Sequence, residues 1–433
     1  MNARKAAYTA LKRILNKGDN SDIVLAELSS EVYEQDQGLF YALVKGTIKQ
    51  KIHLDFLLSH FFDPERTDDE VQDLVRLGLY QIKFLDSIPD YAAVYETIKL
   101  CHKHLNKRSC AFANAVLRSY LRKKDSLQYP KKRVDYFSAY YSFPKYLIGQ
   151  WLADFGEENT IQMCEFFNDP PKFTIRLETN KVTPDAFAKH LNIKDITFKR
   201  SSTHDNIFII TSEYNFTNDE FFIKGYVYIQ DESTLLPVEF LDPQPKERIL
   251  DMCAAPGGKS LYLASLTKDK AHITAVDNDQ ERMNFFKNNL KRMPYRSINL
   301  VQKDVLYFSE TQKFDKILLD APCTGCGVMQ KKPELRFQSE KRLETLIPLQ
   351  KKLLDKADTL LKKGGYLVYS TCTINPQENE NQIDRFMKTH VNYIIENPNK
   401  FVDNFYVKDN YIKTYPFKHK MDGSFAVRIR KTA

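Results

Sequence analysis

An all-α bundle, a small α+β module and a doubly wound α/β domain form the architecture that this 433-residue sequence predicts. Three observations carry that reading. Apolar residues repeat at helical spacing only, through about residue 125. From about residue 246 the pattern switches to short apolar strands alternating with helices, as βαβ units do. Two of those strands run directly into cysteine-bearing turns, Asp320-Ala321-Pro322-Cys323 and Tyr369-Ser370-Thr371-Cys372. Ligands gather at the carboxyl ends of strands in an open α/β sheet, so both thiols are expected to face one crevice.

Taken in order, residues 1–127 read as the helical domain. Ala7, Ala10, Leu11, Ile14 and Leu15 form one stripe, Leu39 to Leu58 continues it, and Phe112, Ala115, Val116 and Ser119 give another. Leu74 to Leu85 is apolar nearly all round, which places that helix at the centre of a bundle. Residues such as His102, Lys103, Lys107, Arg108, Arg118, Arg122 and Lys124 ride on outer faces. Charge alone leaves a solvated face and a nucleic-acid-binding face both open.

Residues 128–245 read as linker helices and a small α+β module. The polar stretch Lys123 to Arg133, with Pro130, has linker character, and Tyr141 to Phe155, holding the sole Trp151, resumes a helix. Strand runs follow at Phe173 to Leu177, Ile207 to Thr211 and Gly225 to Ile229, around a helical piece at Pro184 to Leu191.

Residues 246–433 alternate. Strands are predicted at Ile249 to Met252, His272 to Val276, Asn299 to Gln302, Lys316 to Leu319 and Tyr366 to Tyr369, with helices at Gln280 to Arg292 and Leu343 to Leu361. That order predicts a mostly parallel, doubly wound, Rossmann-like sheet. Gly364-Gly365 is expected to cap the last long helix, and Tyr393 to Ile395 and Phe425 to Ile429 to add edge strands.

Composition excludes several classes. With 42% hydrophobic and 28% charged residues the chain can bury cores and has no disorder-prone tract. Lys+Arg (64) over Asp+Glu (56) gives a net charge of +8, a mild bias compatible with a polyanionic partner. Met1 to Ala7 shows no signal-peptide core, and no segment reaches the ~18 apolar residues of a membrane helix, so a cytoplasmic protein is expected. Seven scattered cysteines are no disulfide framework and should remain thiols.

A third turn joins the other two. Asp251-Met252-Cys253-Ala254-Ala255-Pro256-Gly257-Gly258-Lys259-Ser260 follows a strand and opens a helix, as a loop that lets backbone approach a ligand does. It is no P-loop, because Cys253 stands where that motif needs its first Gly. Asp277 ends the second strand nineteen residues after Gly258, where a carboxylate can accept both ribose hydroxyls, although it could also serve as a helix N-cap. Asp304 ends the third strand, the level at which an adenine edge is met, or is a simple turn residue.

Cys323 and Cys326 make a C-x-x-C, but no second pair completes a zinc site, and Gly325 and Gly327 keep the loop irregular where a redox motif would open a helix. No metal is expected. Cys101, Cys110 and Cys164 read as small core residues, whereas Cys323 and Cys372 follow strands directly. A thiolate nucleophile suits those turns, and the lack of any His between 273 and 389 gives a Cys-His hydrolase little local support.

The three ordered motifs, Asp251 to Lys259, Asp320 to Gly325 and Ser370 to Glu380, are similar to the signatures of the RNA 5-methylcytosine methyltransferases. Ala113-Asn114-Ala115-Val116-Leu117-Arg118 resembles the NusB-like RNA-binding domain that marks the RsmB (Fmu/Sun) subgroup, which modifies bacterial 16S ribosomal RNA. Departures from the pattern stand at Cys326, Glu178 and Asp422-Gly423-Ser424-Phe425. The resemblance implies S-adenosyl-L-methionine as cofactor, held by the backbone of Cys253, Ala254, Ala255, Pro256, Gly257, Gly258 and Lys259, with Asp277 on the ribose and Asp304 on the adenine. It implies Cys372 as the nucleophile at cytosine C6, Asp320 on the N3/N4 edge, and Cys323 assisting release. The expected partner is ribosomal RNA presenting a single-stranded or loop cytosine to a monomer, since an unstacked base is cheapest to extract. A transfer RNA substrate, a DNA or small-molecule methyltransferase and an inactive RNA-binding relative are the other readings.

Overall fold

The computed structural model describes residues 1–432. It divides into two compact units, residues 1–169 with 329–338, and 170–328 with 339–433. The first is all helical: α1 (Ala3–Leu11), α2 (Ser21–Ser29), α3 (Gln37–Lys49), α4 (Lys51–Leu58), α5 (Asp69–Phe84), α6 (Asp90–His104), α7 (Lys107–Lys123), α8 (Arg133–Tyr141) and α9 (Lys145–Asn168). As its sequence predicts, α5 is buried along its length from Val71 to Gln81 and has α3, α6 and α7 packed on it. No helix among the described residues is long and apolar enough to cross a membrane.

The second unit opens with a four-stranded antiparallel sheet, order β2-β3-β1-β4, made by β1 (Phe173–Leu177), β2 (Phe198–Arg200), β3 (Ile207–Ile210) and β4 (Val227–Ile229). Helices α10 (Pro184–Ile193) and α11 (Glu220–Ile223) accompany it, and α12 (Leu236–Leu241) packs on the larger sheet. The larger sheet follows: β5 (Arg248–Met252), α13 (Gly258–Leu266), β6 (His272–Asp277), α14 (Gln280–Arg292), β7 (Ile298–Gln302), β8 (Phe314–Asp320), α15 (Arg342–Leu360), β9 (Leu361–Thr371), α16 (Glu380–Thr389), β10 (Tyr393–Ile395), β11 (Val407–Lys408), β12 (Tyr411–Thr414), α17 (Pro416–His419) and β13 (Ser424–Lys431). Its order is β11-β12-β13-β9-β8-β5-β6-β7, with β10 on β13. Strands β7, β6, β5, β8 and β9 are parallel, and the winding reverses between β5 and β8. That switch point opens a crevice at the carboxyl ends.

Two expectations need correction. Gly364-Gly365 does not cap α15, which ends at Leu360; both glycines lie inside β9, and Gly364 takes φ +76° there. Phe425 to Ile429 is not an edge but the antiparallel neighbour of β9, with β12 and β10 on its other side. Its buried run from Ser424 to Ile429 reflects that central place.

Candidate active site

Register brings the three turns together. Met252 is level with Leu319, and Asp320 with Ser370, so Cys253, the Asp320 turn and Cys372 all leave the sheet at one edge. Each turn has a local cause. Cys253 takes φ +62° and Gly257 φ +102°; a Cβ on Gly257 would collide with the ring of Phe286, so only glycine fits. Ala255 N donates to Asp277 Oδ2 at 2.9 Å, Asp279 N donates to Asp277 Oδ1 at 2.9 Å, and Ala254 N donates to Val276 O. Asp277 thus braces the β5 turn from the end of β6. Asp279 is the N-cap of α14, which relieves Asp277 of that duty. Asp304 accepts from Leu306 N at 2.9 Å as the cap of a short 3₁₀ turn after β7.

The interior of the crevice is acidic. Asp251 is fully buried, takes the Ser260 hydroxyl on Oδ2 at 2.5 Å, and leaves Oδ1 without a partner among the described residues. Burial pushes its pKa up to about 7, and Asp320 and Asp277 add to the rise. Asp320 is held from both sides, by Lys259 Nζ at 2.6 Å on Oδ2 and by Ser370 Oγ at 2.8 Å on Oδ1. Burial alone would lower the Lys259 pKa, but the Asp320 charge outweighs it and the ammonium persists. The Lys259 side chain was therefore underread in the sequence, where only its backbone was assigned. Three carboxylates, one with an orphaned oxygen, beside a glycine-bearing turn suit a cationic ligand carrying ribose hydroxyls. S-adenosylmethionine has both features.

The two principal cysteines meet: Cys323 Sγ and Cys372 Sγ lie 3.3 Å apart. The Cys323 hydrogen bond draws the Cys372 pKa below its ordinary value against the effect of burial, with Lys259 assisting. Cys323 moves the opposite way, well up, because its hydrogen bond to Cys372 and its burial both disfavour its thiolate. Cys326 is no partner for Cys323. Its thiol contacts Thr324 Oγ1 at 3.3 Å, and burial pushes it up to about 11.

A buried carboxylate stitches the two cysteine loops. Glu378 accepts from Thr324 N at 2.8 Å, Thr324 Oγ1 at 2.5 Å and Gln350 Nε2 at 3.1 Å, while Tyr369 Oη donates to its carbonyl at 2.6 Å. Gly327 N donates to Cys372 O at 3.0 Å, and a Cβ on Gly327 would meet Gly423 O. The sequence shows Glu378 inside the third motif, but its role needs a contact across 54 residues, which no local spacing reveals.

Comparison with known proteins identifies the family. The family model described as 16S rRNA methyltransferase RsmB/F matches residues 238–430, that of the NusB family residues 1–122, and that of the RsmF/B-like ferredoxin-like domain residues 143–217. The "Probable ribosomal RNA small subunit methyltransferase B" of Bacillus subtilis is 31% identical over 445 residues, spanning 99% of this chain and 98% of its own. The crystal structure of PH0851 superposes on 100% of this chain and 99% of its own with a TM-score of 0.85 at 24% identity, a likeness of fold. A methyltransferase homolog protein from Pyrococcus horikoshii, 32% identical, covers 68% of this chain and 97% of its own with a TM-score of 0.59. Bundle, sheet, paired thiols and whole-length likeness converge: the chain belongs to the RsmB/F family of 16S ribosomal RNA methyltransferases.

Proposed function

We propose that the protein methylates C5 of a cytosine in small-subunit ribosomal RNA through a covalent adduct between Cys372 and C6. S-adenosylmethionine is the cofactor and supplies an electrophilic methyl group on its sulfonium. The turn from Cys253 to Lys259, with Asp277 at the ribose and Asp304 at the adenine, would hold it. The observation that carries the reading is the 3.3 Å contact between two thiols of opposite tendency, Cys372 toward thiolate and Cys323 toward thiol.

Cytosine C5 is a weak nucleophile until a group adds at C6. A Cys372 thiolate adding there pushes electron pairs toward C5 and the N3/N4 edge. Asp320, fixed by Lys259 and Ser370, would accept a hydrogen bond from the N4 amino group and so hold the base as the charge shifts. Once Cys372 is bound to carbon, the negative charge that kept Cys323 protonated is gone. Cys323 can then lose its proton to solvent and, as a thiolate, accept the C5 proton while the C5=C6 double bond reforms and the C6–S bond to Cys372 breaks. Residues 1–127 would grip ribosomal RNA, 128–245 would support that grip, and 246–433 would do the chemistry on an unstacked cytosine, with the protein acting as a monomer.

The test supplies methyl-labelled cofactor with small-subunit ribosomal RNA, transfer RNA or DNA, then maps the product base. Label as 5-methylcytosine in ribosomal RNA is expected. Label on another base, or on transfer RNA or DNA alone, overturns the reading.

A further inference from the structure

One surface of the helical unit is built unlike the rest. Between α6 and α7 lies a groove of about 1030 Å³ with Ile98 and Leu121 among its lining residues. Tyr91 and Tyr95 line it from α6, 78% and 64% exposed, with Lys99 Nζ 5.8 Å from the Tyr95 ring centroid. They stand four residues apart, hence about 6 Å along the helix and on one face. Arg118 and Arg122 line it from α7, also four residues apart. Their guanidinium groups bond only Asn114 and Ser119, so neither meets a carboxylate among the described residues. The groove's acidic residue, Asp90, is already paired with Lys124 at 3.7 Å.

We infer that this groove binds an unpaired RNA strand, bases on Tyr91 and Tyr95 and phosphates on Arg118 and Arg122. The proposal rests on the ribosomal RNA reading and adds a second contact site to it. Exposed tyrosine rings are platforms on which bases of any sequence stack. Two unneutralised guanidinium groups alongside select a polyanion over an apolar helix, because their charge would go uncompensated beneath one.

The full-length protein is titrated with a labelled single-stranded oligoribonucleotide of about 12 nucleotides, within the range single-strand sites cover, that lacks cytosine and so offers no target base. A duplex of equal length is the control. The wild type should prefer the single strand. Tyr91→Ala with Tyr95→Ala should weaken binding roughly tenfold or more, whereas the paired Tyr→Phe variant, which keeps the rings, should stay within about twofold. Arg118→Gln with Arg122→Gln should lower the salt slope by about 1.4. Thermal melting and cofactor binding verify that each variant is folded.

Alanine variants that bind as tightly as wild type, or an unchanged salt slope, overturn the proposal. So does a wild-type dimer that the alanine pair dissolves without loss of RNA affinity, since the groove would then be a contact between copies. The parent reading fails separately: a groove that binds RNA on a protein that methylates none removes the proposed function, while active variants with intact RNA affinity remove the groove alone.

Discussion

The contact between Cys323 and Cys372 draws one pKa down and pushes the other up, and that asymmetry can be measured residue by residue. A lowered Cys372 pKa means its thiolate is present at lower pH than that of a free cysteine, so alkylation followed by peptide mass spectrometry should show a midpoint below the ordinary range. Cys323→Ala removes the donor and should move that midpoint up. The same variant should still add to RNA but stall on release, and accumulate a covalent complex that survives denaturing electrophoresis. Cys372→Ala, alone or with Cys323→Ala, should give none; an adduct in the double variant would reverse the two roles. Asp277→Ala is expected to weaken cofactor binding by roughly 1.5–3 kcal/mol, about one to two decades, read by calorimetry. Unchanged affinity would remove Asp277 from the site. These three residues were legible in the sequence because each ends a strand or lies in the turn that follows one, where position alone predicts the crevice. The Lys259–Asp320 ion pair was not, since it joins residues 61 apart through the sheet.

At the scale of elements, strands and helices of the α/β part follow closely from pattern, and the misreadings have physical causes. Gly364-Gly365 looks like a helix cap by composition, but β9 needs glycine where a Cβ on Gly365 would strike Asp315 O. Phe425 to Ile429 reads as an edge because it lies in the tail of the sequence, whereas pairing with β9 puts it well inside the sheet. The Cys323 and Cys372 loops are joined by Glu378, whose buried carboxylate accepts three hydrogen bonds. Glu378→Ala leaves those donors unmet, at about 1–3 kcal/mol each, and should slow methyl transfer while raising the Cys372 alkylation midpoint. Glu378→Gln keeps Oε1 for Thr324 N and Gln350 and should recover most of both. A midpoint that does not move in Glu378→Ala would make the carboxylate structural only.

On the scale of the whole molecule, ten residues of the catalytic sequence, Met329–Gln338, belong to the helical unit rather than the α/β unit. No sequence pattern marked them, because their partners lie 164 to 313 residues away. Their anchor is Arg336, fully buried and stacked 3.7 Å from the Phe143 ring centroid. It donates to Lys49 O at 2.8 Å, Ser142 O at 3.0 Å and Phe167 O at 3.1 Å, carbonyls at the ends of α3, α8 and α9. Burial lowers its pKa to about 9, still high enough to remain charged at neutral pH. Replacing a buried cation by an apolar side chain is often neutral or stabilising, but here three helix C-termini, each carrying about half a negative charge, act as the counter-ion. Arg336→Met therefore leaves three carbonyls unmet and should destabilise the helical unit by roughly 3 kcal/mol or more. Arg336→Lys, with one compact ammonium in place of a planar fork, should recover only part of it. Hydrogen exchange should then rise across α3, α8 and α9 while β5 to β9 and cofactor affinity stay as in wild type. Unchanged exchange in those three helices would show that the guanidinium is dispensable to them.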